Sequence, residues 1–297
     1  MKTVIAGASG FVGQALVPAL SGRGEVVALS RGDTDVPGAR TVRWDPSVSG
    51  VWQDEVASSD VVINLAGASI GAGRWTPKRK AKLVSSRLDS TAAIVDVLKK
   101  NIRSDRTLIN ASAVGYYGSR GDEVLTEKSA AGNDFLADLC KRWEAAALAA
   151  EGSARVVISR LGVVLGPGGG ALPQMLLPFK FFVGGPIGRG NQWMSWIDRR
   201  DLTAIVLWLL DHKSARGVYN AASPEPVTNR AFAKTAGSVM SRPSIFPAPP
   251  LALRLGLGEM ADALLLSSQR AVPHRLLEGG FEFRHAELDQ TLAFSVR

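Results

Sequence analysis

The run Val4-Ile5-Ala6-Gly7-Ala8-Ser9-Gly10-Phe11-Val12-Gly13 carries an apolar strand directly into glycines at positions 7, 10 and 13. Gly7 permits the tight turn out of the strand. Gly10 lets the backbone approach a pyrophosphate, and Gly13 lets the next helix pack close to the sheet. The amides at that helix's N-terminus then face an anion. Phe11, Val12, Ala15, Leu16, Ala19 and Leu20 recur at helical spacing behind the turn, and a strand over 25–30 follows at the distance of a βαβ unit. The motif therefore predicts a dinucleotide at Gly7, Ser9, Gly10, Phe11, Val12 and Gly13, against the alternative of an ordinary glycine-rich turn.

Residues 40–44 read as a third strand and 60–66 (DVVINLA) as a fourth, continuously apolar as in a parallel sheet covered on both faces. A helix over 77–100, a strand over 107–113, a helix over 133–150 and a strand over 155–164 follow. This alternation specifies an α/β fold, a Rossmann-type doubly wound parallel sheet over 1–166. From Gly166 the texture changes to short elements punctuated by Gly and Pro. A smaller C-terminal substrate lobe is expected over 167–297. Within it, 201–222 returns to the first sheet through a helix at 201–212, with Asp201 as its N-cap.

With 46% hydrophobic and 21% charged residues, the chain reads as soluble and globular. Gly7, Ser9 and Gly10 interrupt any signal peptide, and no stretch is long enough to span a bilayer. The single cysteine, Cys140, excludes an internal disulfide and fits a reducing cytoplasm. Three scattered histidines offer no metal constellation. The net charge of +8 raises the question of nucleic acid, but its densest run, Lys78-Arg79-Lys80-Ala81-Lys82, opens a helix and reads as a solvated face. Such a balance also fits ligands that carry phosphates. The expected partner is thus a small molecule, with no nucleic acid and no membrane, for a monomer or homodimer.

The glycine spacing, Asn64-Leu65-Ala66-Gly67 and Ala111-Ser112-Ala113-Val114-Gly115-Tyr116-Tyr117-Gly118 together resemble an extended short-chain dehydrogenase/reductase. Arg160-Leu161-Gly162-Val163-Val164-Leu165-Gly166-Pro167 and Trp196-Ile197-Asp198-Arg199-Arg200-Asp201-Leu202 are similar to that group too. The resemblance spans essentially the whole chain. It is nearest to an atypical branch of NAD(P)-dependent epimerase-family proteins, sometimes labelled cell-division inhibitors or nucleoside-diphosphate-sugar epimerases. The marks of that branch here are FLADLCKRWE at 135–144, GRGNQWMSW at 188–196 and LSSQRAVPHRLLEGGFEF at 266–283. The resemblance implies that Leu65, Ala66, Gly67, Arg87, Ala111, Arg160 and Leu161 line the cofactor.

Coenzyme choice turns on the end of the second strand, where an NAD enzyme places Asp or Glu against the ribose 2′-hydroxyl and a 2′-phosphate calls for a cation. Ser30-Arg31 stands there, and a guanidinium grips phosphate with two parallel hydrogen bonds. Asp33 comes slightly too late for the acidic role. NADP(H) is therefore the expected cofactor.

Catalysis is where the chain departs from the family pattern. Such reductases use a Ser or Thr, a Tyr, and a Lys four residues later. Ser112 fits the first position. Anchoring on Glu144 puts Leu136 at the tyrosine position and Cys140 at the lysine position, while sliding to recruit Lys141 turns that lysine about 100° around the helix. Tyr116 and Tyr117, on the loop after Ser112, either reach the nicotinamide or simply pack. Gln192, Trp193, Trp196, Arg199 and Arg200 are candidate substrate contacts. Two functions follow from these residues: an NADP(H)-dependent oxidoreductase or epimerase-like enzyme on a small polar substrate, or an NADPH-binding sensor without turnover.

Overall fold

The computed structural model describes residues 1–32 and 34–296, so Asp33 lies outside the described residues. β1 (Lys2–Ala6) passes through the glycine turn into α1 (Gly13–Ser21), followed by β2 (Glu25–Ser30) and β3 (Arg40–Arg43). α2 (Val51–Ser58) was not anticipated, because only Trp52 and Val56 of its eight residues are buried. Next come β4 (Val61–Asn64), α3 (Pro77–Lys100) and β5 (Thr107–Ala113). Thr76 caps α3 by accepting the Arg79 N–H, and Pro77 suits the first turn, where its missing N–H costs nothing. A short β6 (Val124–Leu125) precedes α4 (Phe135–Leu148), whose Asp134 cap accepts the Ala137 N–H, and then β7 (Arg155–Leu161).

The strand expected over 155–164 is two strands. At Gly162 the chain leaves the first sheet, and a Cβ there would lie 3.0 Å from the Ser195 carbonyl oxygen. β8 (Val163–Leu165) then leads through α5 (Leu172–Lys180) and β9 (Trp193–Met194) to its parallel partner β10 (Trp196–Asp198). α6 (Arg199–Asp211) starts two residues earlier than expected. Asp198 is its cap, accepting the Arg200 N–H at 2.7 Å. Asp201, the expected cap, is buried and instead accepts the Arg284 and His285 N–H groups at 3.2 and 2.9 Å, so it pins the C-terminal segment. Burial holds its carboxyl above the ordinary aspartate value.

β11 (Gly217–Ala221) follows and completes a seven-stranded parallel sheet in the order β11-β7-β5-β4-β1-β2-β3. Ile5, Leu16, Leu20, Ile205 and Leu209 fill the face under α1 and α6. Val4, Trp52, Val62, Ile94, Leu98 and Ala147 fill the opposite face. Both faces are covered, which is why the central strands read as unbroken apolar runs. The order reverses direction between β1 and β4, and a ligand crevice opens beyond the carboxyl ends of strands at such a point.

The remainder of the chain comprises β12 (Val227–Thr228), α7 (Asn229–Met240), α8 (Pro250–Leu257), α9 (Glu259–Ala261), β13 (Arg270–Ala271), α10 (His274–Glu278) and α11 (Leu288–Ser295). Of these, α7 and α11 pack with α5 around Leu165, Leu176, Phe179, Trp196, Phe232 and Leu292, while Leu276 of α10 joins the core under α1 and α6. No helix among the described residues is long and apolar enough to cross a membrane.

Candidate active site

The glycine turn has the geometry its sequence requires. Gly7 holds φ at +87°, and a Cβ there would lie 3.0 Å from the backbone of Leu65 at the end of β4. A Cβ at position 13 would lie 2.5 Å from the carbonyl oxygens of both Gly7 and Ala8. Ser9 and Gly10 are exposed, Phe11 and Val12 half-buried, and no side chain caps the first turn of α1. The Gln14 and Ala15 N–H groups bond to the Gly10 and Val12 carbonyls, and those of Phe11, Val12 and Gly13 have no acceptor among the described residues, which leaves them for an outside one.

Around this cradle stand several cations. Arg31 is exposed at the end of β2 beside Ser30, whose hydroxyl accepts the Gly32 N–H at 3.4 Å. Arg87 on α3 runs across Gly67, where a Cβ would come within 3.0 Å of its Cζ, and its guanidinium lies 5.1 Å from the Trp143 ring. Burial depresses the Arg87 pKa, and the groups acting on its charge are Cys140 and Arg79 rather than a carboxylate. Arg199, the first residue of α6, lies 4.5 Å from the ring of Phe11, inside the glycine turn. That places it against the cradle rather than in a separate substrate pocket. Leu65 and Ala66 continue from β4, with Ala66 held by an N–H bond to Asn64 Oδ1 at 3.2 Å. Ala111 is buried within β5, and half-buried Leu161 ends β7.

The catalytic candidates meet in one place, through strand register. Ser112, Arg160 and Asn220 are direct partners on β5, β7 and β11. Glu144 on α4 faces them. Arg160 donates to both Glu144 oxygens, at 2.8 Å each, and Ser112 Oγ donates to Oε1 at 2.6 Å. The remaining Arg160 nitrogen donates to the Tyr117 hydroxyl at 3.0 Å, which itself donates to Asn220 Oδ1 at 2.7 Å. Burial pushes the Tyr117 pKa up to about 12. Arg160 is held above the ordinary arginine value, because its bonds to Glu144 and Tyr117 outweigh burial.

In this arrangement three of the candidates are held by internal bonds. Ser112 has committed its only proton to Glu144, so it does not offer a hydrogen bond to a carbonyl. Tyr117 is fully buried and its proton belongs to Asn220. Arg160 is closed into an ion pair within the sheet, its three guanidinium nitrogens each bonded to Glu144 or Tyr117. Tyr116 differs from all of these. It is half-buried, its ring lies 3.3 Å from the Arg160 Cζ, and its hydroxyl has no hydrogen-bond partner among the described residues. At the helix positions where a Tyr-Lys pair was sought, Leu136 packs against Gly115 and Cys140 is buried, its pKa pushed up to about 11 by burial and by Glu144. Glu144 served in the sequence only as a register marker. A buried carboxylate on α4 opposite an arginine in a core strand was the signal available for its role.

In the second lobe, Gln192 donates to the Leu265 and Ile187 carbonyls at 3.0 and 3.3 Å. Trp193 is half-buried, donates to Asp122 at 2.7 Å and lies 4.3 Å from the Arg270 guanidinium. Trp196 does not line a cleft. It is fully buried in the second core and donates to the Glu225 carbonyl at 3.0 Å. Arg200 is also withdrawn, paired with Asp198 at 2.7 Å. No cluster of His, Cys, Asp or Glu among the described residues could hold a metal ion.

Residues 3–222 match the NAD dependent epimerase/dehydratase family, and 248–294 match a domain of unknown function. The chain is 38% identical over 293 residues to an epimerase family protein of Mycobacterium leprae, covering 98% of this chain and 94% of that one. An Arabidopsis thaliana relative, named an epimerase family protein SDR39U1 homolog, chloroplastic, is also 38% identical over 299 residues, with 98% and 86% covered. The crystal structure of the human epimerase family protein SDR39U1 with NADPH superposes with a TM-score of 0.88 at 33% identity, covering 99% of this chain and 98% of that one.

Proposed function

The chain belongs to the NAD dependent epimerase/dehydratase family, and from that premise we propose that it binds NADP(H) and acts as an oxidoreductase or epimerase-like enzyme on a small polar carbonyl or sugar-nucleotide substrate. Residues 1–166 with 201–222 serve as the cofactor half and 167–297 as the substrate lobe. The observation that carries the reading is Arg87, a half-buried cation across Gly67 beyond the end of β4, whose guanidinium donates to the Leu83 carbonyl at 3.1 Å and meets no carboxylate among the described residues. Such a charge calls for an anion from outside the chain. The human relative's crystal structure with NADPH supports the choice of coenzyme.

Bound NADP(H) supplies or accepts the hydride, and the protein contributes binding and orientation. The unbonded N–H groups of Phe11, Val12 and Gly13 take the pyrophosphate, with Arg199 beside them. Ser30 and Arg31 take the 2′-phosphate. Arg31→Ala should weaken NADPH binding by about 1.5–3 kcal/mol and leave NADH nearly unaffected. Equal weakening of both coenzymes in calorimetric titrations would contradict the 2′-phosphate role.

Proton handling falls to Tyr116, the one hydroxyl of the group not already committed. Tyr116→Phe should lower turnover by about 10²-fold while NADPH affinity stays near wild type. Ser112→Ala should have the smaller effect, acting through the orientation of Glu144. Full activity in the Tyr116 variant would move proton transfer to another group. A second reading, a sensor that binds NADPH without turnover, draws on Leu136, Cys140 and the internal commitment of Ser112 and Tyr117. Coenzyme absorbance against a panel of carbonyl and sugar-nucleotide compounds separates the two. Tight binding with neither turnover nor solvent hydrogen exchange favours the sensor. A single buried thiol suits a reducing cytoplasm as its setting.

A further inference from the structure

The second lobe carries an apolar surface outside the site described above. α5 ends at Lys180 and is followed by Phe181-Phe182-Val183, where Phe182 holds φ at +60°, a conformation a bulky side chain adopts only under strain. That backbone presents three consecutive apolar residues to solvent. The segment after α7 runs alongside: Phe246 donates its N–H to the Gly184 carbonyl at 3.1 Å, and Arg242 lies 4.4 Å from the Phe182 ring. Phe181, Phe182, Val183, Ile245 and Phe246 are between 50% and 74% exposed. α8 extends the same tract with exposed Leu251 and Leu255, one turn apart, and buries no residue of its own. Contiguous exposure of this kind marks an interaction surface.

The charge around it is predominantly positive, with Arg254 alone of its cations paired among the described residues, to Asp262 at 2.8 Å. Residues 166–197 and 226–258, which pack together here, contain no Asp or Glu, while Lys180, Arg189, Arg230, Lys234, Arg242 and Arg254 all fall within them. A second copy would bring the same cations face to face, which is unfavourable. Three neighbouring residues at a protruding turn do not share one socket on a rigid partner, whereas a fluid phase receives them all. We propose that this face docks on an anionic lipid surface, with Phe181, Phe182 and Phe246 entering the headgroup boundary and the cations meeting the lipid phosphates and carboxylates. Such docking is peripheral. It departs from the expectation of no membrane partner because only the tertiary structure gathers these two segments.

The test is co-sedimentation of the full chain with vesicles of phosphatidylcholine plus phosphatidylserine, and with vesicles of phosphatidylcholine alone, at low and high salt. The wild type should partition onto the anionic vesicles, release with salt and leave neutral vesicles largely bare. A Phe181→Ser, Phe182→Gly variant should partition at least about tenfold less. Glycine relieves the positive φ at 182, so this variant should melt no lower than wild type, which separates lost docking from lost folding. Absence of wild-type binding to anionic vesicles overturns the proposal, as does a variant that binds equally well. So does binding to polyglutamate in place of vesicles, which indicates an acidic protein. A wild-type dimer in sedimentation velocity that the variant abolishes assigns the face to a second copy and overturns it as well.

Discussion

Replacing Glu144 with Ala should cost about 3–5 kcal/mol of folding stability, because Arg160 would remain buried and charged with its carboxylate gone. The side chains of the pair are 3% and 6% exposed, so solvent screening gives little relief. The loss should extend to Ser112, whose donor bond ends on the same carboxylate. Urea unfolding midpoints measure it. A double variant, Glu144→Leu with Arg160→Met, should recover much of the stability, since apolar pairs of similar volume often replace buried ion pairs without loss. A single variant that loses under about 1 kcal/mol would mean that water reaches Arg160 and that the network is not closed.

Trp196→Ala should be comparably severe, at about 3–5 kcal/mol, the range for truncating a large buried aromatic. Trp196 is fully buried among Leu165, Phe232 and Leu292, and its removal leaves the Glu225 carbonyl without the indole N–H that donates to it. Thermal unfolding reports the effect, and the protein that remains folded at low temperature should bind NADPH as before. Trp193→Ala, at the half-buried neighbouring strand, should cost far less. Unchanged melting of the Trp196 variant alongside lost substrate affinity would return Trp196 to the cleft.

What the sequence discloses and what it hides divide along a physical line. The bounds of α3 and β5 were both legible. Thr76 and Pro77 mark the start of α3, and the strand at 107–113 is an uninterrupted buried run between two helices. The glycine turn was legible because each glycine answers a separate local steric demand. The split at Gly162 was not, since the obstacle that demands a glycine there is Ser195, which the chain reaches only after another helix. Asp201 looked like a cap because capping is judged locally, while its partners, Arg284 and His285, lie near the far end of the chain. The Ser112-Glu144-Arg160-Tyr117-Asn220 network depends on the register of three strands, which no single strand encodes.

The one-residue break at Gly162 also sets how the halves of the molecule are connected. β7 carries Arg160 and β8 belongs to the second sheet, so the two sheets are joined as a nearly continuous ribbon with a single joint. β10 is thereby tied through its partner β8 to the strand that holds the Arg160-Glu144 pair. With one residue between the two sheets, a side chain at position 162 would disturb both at once, because its Cβ would lie 3.0 Å from the Ser195 carbonyl oxygen.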